Sequence, residues 1–304
     1  MASLAKNAHT AERPSRSAGP SQGPSSLGRN EGRGASMPFY LVANTFERMF
    51  NASNRAARVQ LLSALWRQYG RKDLFALMRL TTPQLDTERP VYMIKEKALS
   101  RMYVSILGLP EESGDRKLLL NWKRGSGSAA TINSFPDKAY DVLAKRCATA
   151  EELKGARFSV AEVNEQLDAL AHAQNDNAKQ AVLHTIHTRA TAVEQKWIMR
   201  VILKDMALGL KEDSILKLLH PDAKELFNSV CDLRAACDQC ADPSFRIDDI
   251  SIKPFCAFKP KCTHRTDWDQ VHRTQSRKGA YVAENKLDGE RVLLHFARNG
   301  GGGG

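Results

Sequence analysis

Lys286, near the end of the chain, is the residue whose surroundings could do covalent chemistry. It lies in the segment Glu-Asn-Lys-Leu-Asp-Gly-Glu-Arg over 284–291. A lysine amine becomes a nucleophile once it has lost its proton, which burial or neighbouring positive charge favours. Gly289 would let the backbone approach a ligand closely, and the planar fork of Arg291 suits a phosphate or a ribose hydroxyl. The pattern favours a nucleotide site with a covalent step, and an ordinary hairpin with a Leu-Asp-Gly-Glu turn is the alternative.

The elements that would position this lysine are two strands, because residues 281–284 and 291–296 both have the composition of strands. The chain before them has a different pattern. From residue 37 to about residue 240, apolar residues recur at spacings of three and four, which predicts helices. The sequence therefore predicts a multi-domain chain, with an all-α domain over 37–241 and the beginning of a smaller domain with β-strands over 242–304.

Residues 286–291 resemble the K-x-D-G-x-R signature of the covalent nucleotidyltransferases, which comprise DNA ligases, RNA ligases and mRNA capping enzymes. Residues 194–205 resemble the E-x-K-W-x-x-R-x-I-x-K segment in the helical DNA-binding domain of eukaryotic ATP-dependent DNA ligases. Further stretches resemble the ligase IV branch of that family, and they lie at 78–80, 83–85, 88–89, 92, 94–96, 107–110 and 257–260. Together these matches favour the ATP-dependent DNA ligases over capping enzymes and RNA ligases.

The resemblance implies that Lys286 attacks the α-phosphate of ATP and becomes a lysyl-adenylate, with Mg²⁺ neutralising the phosphates. AMP would then pass to a 5′-phosphate at a DNA break, and a 3′-hydroxyl would displace it to seal the strand. The surrounding residues would form the nucleotide pocket, with Glu284, Asn285 and Leu287 at the adenine, Arg291 at ribose or phosphate, and Asp288 and Gly289 shaping the loop. The second domain would then be the opening strands of an α+β adenylation domain, truncated at residue 304, and the family's metal ligands are expected beyond that point.

The resemblance also implies a biological setting. The expected partner is duplex DNA with nicks or ends, and end-joining scaffold proteins are expected to bind only a full-length form. Non-homologous end joining, DNA repair and DNA recombination in the nucleus are the expected roles. One alternative is a truncated, catalytically inactive DNA-binding module. Another is a capping-type or RNA-ligase nucleotidyltransferase, and a capping-type enzyme would be labelled by GTP instead of ATP.

Three cations in the second motif are candidates for DNA contact. Lys196, Arg200 and Lys204 recur every four residues and so share one face of a predicted helix, beside an apolar stripe at 198, 202 and 206. A basic face over an apolar stripe suits the phosphates of a duplex, and a solvated charged face is the alternative. Ala207 stands where the family commonly has lysine or arginine, which weakens one expected contact.

Composition and charge agree with a polyanionic partner. The chain has 304 residues, with 45 Lys and Arg against 34 Asp and Glu, so its formal net charge is +11. Hydrophobic residues make up 42%, which excludes a fibrous or wholly disordered chain. The sequence has neither an apolar run of the roughly 18 residues that span a bilayer nor a signal-peptide core, so we expect no membrane association and no secretion.

The remaining segments carry no predicted site. Residues 1–36 are rich in Ser, Gly, Pro and Arg and are expected to form a disordered basic tail, with a transit peptide as the alternative. Cys237 and Cys240 form a CxxC pair, but no second pair follows, so we expect reduced thiols and no metal site. His184 and His187 lie three residues apart on a predicted helix and are expected at the surface.

Overall fold

The structure, a computed structural model, describes residues 37–69, 74–124, 134–247, 257–259 and 266–280, together with the single residues 282, 289, 292 and 294. Within these residues the chain forms thirteen α-helices, one short 3₁₀ turn at Trp122–Arg124 and one isolated β-bridge between Pro38 and Ser159. The helices are α1 (Phe39–Asn51), α2 (Arg55–Tyr69), α3 (Leu74–Thr81), α4 (Glu96–Ile106), α5 (Gly114–Leu120), α6 (Phe135–Leu143), α7 (Val160–His172), α8 (Asp176–Arg189), α9 (Ala192–Ile202), α10 (Glu212–Leu219), α11 (Ala223–Val230), α12 (Leu233–Cys240) and α13 (Trp268–Gln275).

Local sequence signals explain where several helices begin. The side chain of Ser159 accepts a hydrogen bond from the backbone N–H of Glu162, and the Glu162 carboxylate accepts one from the backbone N–H of Ser159. Thr191 and Glu194 form the same reciprocal pair at the start of α9. Each capping box satisfies two backbone donors that a helix end otherwise leaves without partners.

The core of the helical region is organised around α9. This helix is buried along almost its whole length, and it packs against α1 and α6. The Trp197 ring is fully buried, and its centroid lies 5.3 Å from that of Phe46 and 6.4 Å from that of Phe50. Aromatic rings at these separations and tilts add to the apolar burial. A helix so enclosed has no broad solvent-facing side on which polar residues could lie.

The described residues confirm a mostly helical chain. The predicted strands at 281–284 and 291–296 fall almost wholly outside the described residues, and the boundary at 241 stays a prediction. Helix α13, which the sequence did not predict, lies between that boundary and the Lys286 segment, and none of its residues is buried. The tail over 1–36 also lies outside the described residues. Among the helices that the structure describes, none has the length and apolar character needed to cross a membrane.

Candidate nucleic-acid interface

Lys196 lies in the interior of the helical region. Its Nζ is 3.0 Å from Glu47 Oε1 and 3.2 Å from Asp137 Oδ1. The same ammonium lies 4.8 Å from the centre of the Phe50 ring and 5.4 Å from that of Tyr140. Only 4% of Lys196 is exposed. Carboxylates and aromatic rings therefore surround this charge, an arrangement that replaces the water lost on burial.

Arg200, one turn further along α9, is even more buried at 1% exposure. Its Nη2 lies 2.9 Å from Asp137 Oδ2 and donates a hydrogen bond of 3.1 Å to Ser134 Oγ. Its Nη1 donates to the backbone carbonyl of Asp205 at 3.2 Å. Arg200 thus connects the start of α6 with the chain that follows α9.

These two cations and two carboxylates form one unit, the interior cation cluster, which consists of Glu47, Asp137, Lys196 and Arg200. Asp137 is its centre because this carboxylate receives both cations. The expectation of a solvent-facing basic surface is wrong for Lys196 and Arg200, since their side of α9 faces α1 and α6 and holds their charges in ion pairs. DNA contact by either residue stays a prediction, and it would require the cluster to open.

Lys204 is in a different environment because α9 ends before it. Its backbone φ is 54°, in the left-handed region. The N–H of Lys204 donates to the carbonyl of Val201 at 3.1 Å, and the N–H of Asp205 donates to that of Arg200 at 3.0 Å. This pair of bonds is the Schellman ending of a helix, in which a left-handed residue turns the chain away. Lys204 is partly exposed and forms no ion pair with any residue that the structure describes.

Residues 203–211, the post-helix loop, connect α9 to α10 and carry Lys204 at their start. Three residues of this loop are left-handed, with φ of 54° at Lys204, 46° at Ala207 and 67° at Gly209. Met206 and Leu208 are buried, whereas residues 205, 207 and 209 on either side of them are exposed. The two buried side chains anchor the loop on the core, and the residues between and beside them face solvent. The loop therefore lies at the surface, with a lysine near each end, Lys204 and Lys211.

Contacts from elsewhere in the chain hold this loop. The amide Nε2 of Gln84 donates to the carbonyl of Lys204 at 2.8 Å. The guanidinium of Arg58 lies against Gly209, so closely that a Cβ on this glycine would stand 2.6 Å from Nη1. Neither Gln84 nor Arg58 was a candidate site residue from the sequence. Gln84 lies in one of the segments that resemble ligases, which is the one signal that could have pointed to it.

A second ion-pair group, the α3–α7 cluster, fixes the chain that carries Gln84. It consists of Arg79, Asp86, Arg89 and Asp168, with Arg79 Nε 2.7 Å from Asp86 Oδ2 and Arg89 Nε 2.7 Å from Asp168 Oδ1. Burial by itself would raise the pKa of Asp168, but hydrogen bonds and charge from the two arginines outweigh it and hold that pKa below its usual range. Burial raises the pKa of the neighbouring Tyr92 hydroxyl to about 12. The ion pairs of this cluster thus hold the turn at 82–86 against α3 and α7.

The predicted nucleotide site cannot be placed in the same way. Lys286, Glu284, Asn285, Leu287, Asp288 and Arg291 lie outside the described residues, so their roles stay predictions. Gly289 is described and lies exposed in a bend, with open space where a Cβ would stand. No group of three or more His, Cys, Asp or Glu side chains close enough for a metal ion occurs in the part of the chain that the structure describes.

The cysteines and histidines that the sequence singled out have ordinary surroundings. Cys237 and Cys240 are both buried on α12, and burial raises the pKa of the Cys237 thiol. His184 is exposed, as expected. His187 is instead partly buried, with Nδ1 3.7 Å from Cys147 Sγ. Burial lowers the pKa of His187, which favours its neutral form.

Comparison with known proteins places this helical region in a family. The family model "DNA ligase N terminus" matches residues 38–220, from the start of α1 to the end of α10. The chain is 36% identical over 288 residues to a protein named DNA ligase 4 from Gallus gallus, which covers 87% of this chain and 31% of that protein. It is 34% identical to DNA ligase 4 of Homo sapiens, with the same coverage, and 34% identical to DNA ligase 4 of Coprinopsis cinerea, with 86% and 26% covered.

The chain spans between about a quarter and a third of the length of these curated relatives. The chicken match covers 87% of the chain, more than residues 1–220 can supply, so it continues beyond the segment that the family model matches. The family model by itself covers more than half of the chain. The chain therefore belongs to the DNA ligase family, and it is similar to the N-terminal part of DNA ligase 4.

Proposed function

We propose that this chain binds duplex DNA at nicks or ends through its helical region, 37–241, and that residues 242–304 carry Lys286 as the adenylated lysine of an ATP-dependent DNA ligase. The observation that carries the proposal is the ligase N-terminal match over α1–α10 in the same chain as a K-x-D-G-x-R pattern. By similarity to DNA ligase 4, we place the activity in end joining, DNA repair and recombination in the nucleus. End-joining scaffold proteins are proposed as partners of a longer form only.

The post-helix loop supports DNA binding better than the face of α9 does. A phosphate contact needs a cation that can reach the backbone of the duplex, and Lys204 is partly exposed without an ion-pair partner among the described residues. Lys211 adds a second exposed cation at the other end of the loop. Contacts of this kind are independent of base sequence, as a protein that accepts any break requires. The net charge of +11 favours the same partner.

The proposed chemistry at Lys286 is a nucleotidyl transfer, in which AMP passes from ATP to the lysine. The neutral amine Nζ forms a bond to the α-phosphorus while the bond from that phosphorus to the oxygen bridging the α- and β-phosphates breaks, pyrophosphate leaves, and the nitrogen loses one proton to solvent. Arg291 would hold the ribose or a phosphate, with Glu284, Asn285 and Leu287 around the adenine. Mg²⁺, when bound, supplies positive charge that neutralises the phosphates under attack. The resemblance at 284–291 supports these roles.

A labelling experiment tests the adenylation. The purified chain is incubated with Mg²⁺ and ATP labelled at the α-phosphate, quenched with EDTA and detergent at neutral pH, and examined for label that stays on the denatured protein. We expect label on the wild type and on Lys278→Arg, a conservative change at an exposed lysine, and none on Lys286→Arg. Absence of label on the wild type contradicts the enzyme proposal for this chain. Labelling by GTP instead of ATP favours a capping-type enzyme.

Binding is measured separately, by fluorescence anisotropy with a nicked duplex. Binding without adenylation supports a DNA-binding module that lacks the first step of ligation. Binding that barely weakens between low and moderate salt contradicts phosphate contact, because such contacts release counterions. The two measurements therefore separate the two halves of the proposal.

A further inference from the structure

We infer that Gln84 and Arg58 are positioning residues, which hold the post-helix loop in the shape that presents Lys204 to a DNA phosphate. The inference rests on the proposed DNA binding and adds residues that do not themselves reach the DNA. Both act on the loop backbone, one at each of two left-handed positions, and both belong to elements remote from it in sequence.

Gln84 fixes the beginning of the loop. Its side chain is exposed, and its Nε2 donates to the carbonyl of Lys204 at 2.8 Å. The turn that carries Gln84 is closed by a bond of 2.9 Å from Leu85 N–H to the Thr82 carbonyl. Asp86, the next residue but one, is tied to Arg79 at 2.7 Å. The amide donor therefore has a rigid support, and its bond restrains the peptide unit immediately after the Lys204 side chain.

Arg58 fixes the end of the loop. It donates from Nε to the carbonyl of Met49 at 3.2 Å and from Nη2 to that of Ala52 at 2.6 Å, so it also closes the turn between α1 and α2. Gly209 packs against this guanidinium with φ of +67°, and a Cβ there would lie 2.6 Å from Nη1. The close approach and the left-handed backbone together favour glycine at this position, because any Cβ here would displace the Arg58 guanidinium.

The loop needs such support because two of its left-handed residues, Lys204 and Ala207, are not glycine. Side chains at left-handed positions are strained, and this strain persists only where the surroundings determine the conformation. Without Gln84 or a close Arg58–Gly209 contact, Lys204 would sample other positions. DNA binding would then have to order the loop, and the affinity would fall without any loss of charge.

The experiment measures the dissociation constant for a nicked duplex at several salt concentrations. Gln84→Met removes the donor and keeps the length of the side chain. Its matched control is Gln180→Met, which removes a hydrogen bond of 2.8 Å from Gln180 Nε2 to Ser105 Oγ on another surface. Gly209→Ala is paired with Gly108→Ala, because Gly108 also has positive φ, +56°, and a Cβ there meets nothing within 4 Å.

We expect Gln84→Met and Gly209→Ala to weaken binding about fivefold, with the salt dependence unchanged, and the two controls to bind as the wild type does. Circular dichroism and the unfolding midpoint confirm that each variant is folded. The inference is overturned if Gln84→Met and Gly209→Ala match their controls while the wild type binds. It is also overturned if Gln84→Met weakens binding equally in a chain that already carries Lys204→Ala, because Gln84 would then act independently of Lys204. A wild type that binds no nicked duplex contradicts the proposed function instead.

Discussion

Lys196 and Lys204 belong to one periodic run of cations, and they occupy opposite environments. The first lies between two carboxylates with 4% of its surface exposed, whereas the second follows the last turn of α9 and is partly exposed. Helical spacing correctly places Lys196 and Arg200 on one face. It does not say whether that face meets solvent or another helix, and here Glu47 of α1 and Asp137 of α6 make it an interior surface. Lys196 and Arg200 therefore join helices in the interior, whereas Lys204 is available to a ligand.

The largest effect is expected at the centre of the interior cation cluster. Asp137→Asn removes the charge that two buried cations share, so we expect the free energy of unfolding to fall by about 3–5 kcal/mol. Urea denaturation of the purified chain measures it. Asp141→Asn, on the exposed side of the same helix, is the control, with an expected change within about 0.5 kcal/mol. A loss below about 1 kcal/mol for Asp137→Asn would mean that the cluster contributes little and that Lys196 can leave it easily.

A smaller effect is expected in the α3–α7 cluster, where 38% of the Asp168 side chain is exposed. Asp168→Asn should lower the free energy of unfolding by about 1–2 kcal/mol, less than a fully buried pair because solvent screens part of the attraction. The folded-state pKa of Asp168 is depressed, so its contribution is present above the unfolded value near pH 4 and is lost as the pH falls through the folded value.

Urea titrations from pH 7 to pH 2.5 test this assignment. The difference between wild type and Asp168→Asn should be largest at neutral pH and should shrink below about pH 4. Glu165→Gln, an exposed change on the same helix, is the control and should leave the curve near that of the wild type. A difference that stays constant down to the lowest pH would show that the loss comes from packing and not from the carboxylate charge.

Much of the helical fold was predictable because its signals are local. Apolar spacing marks the helices, and Thr191 followed by Glu194 is a capping pattern that the structure realises at the start of α9. The burial of Lys196 was not predictable in this way. Its partner Glu47 is 149 residues distant in sequence, and nothing near α9 shows which helix will cover it.

The position at which α9 ends was not predictable from the sequence for a different reason. A left-handed residue after a helix is usually signalled by glycine, and here that residue is Lys204. The spacing of the cations therefore predicted that Lys204 shares a helix face with Lys196 and Arg200, although α9 ends at Ile202. The roles of Gln84 and Arg58 were not predictable either, because both residues are remote from the loop in sequence and contact it only in the folded chain. For the nucleotide site, the sequence pattern around Lys286 is the sole basis, since that segment lies outside the described residues.

The smallest change in stability and the most specific change in binding are expected at Lys204. Lys204→Ala removes a partly exposed cation without an ion-pair partner among the described residues, so the free energy of unfolding should change by less than about 0.5 kcal/mol. If this cation neutralises one phosphate, the slope of log affinity against log salt concentration should become shallower by about 0.9. Anisotropy titrations with nicked duplex between low and moderate salt give this slope directly.

Two further variants decide what the result means. Lys217→Ala removes an exposed cation from α10, so an equal loss of slope there would mean that net charge, and not the position of Lys204, governs binding. Lys196→Met removes an interior cation, and we expect it to lower stability while the folded fraction keeps the wild-type slope. If Lys196→Met instead makes the slope shallower, the interior cation cluster opens when DNA binds, and the two classes of cation distinguished here would act on the same phosphate backbone.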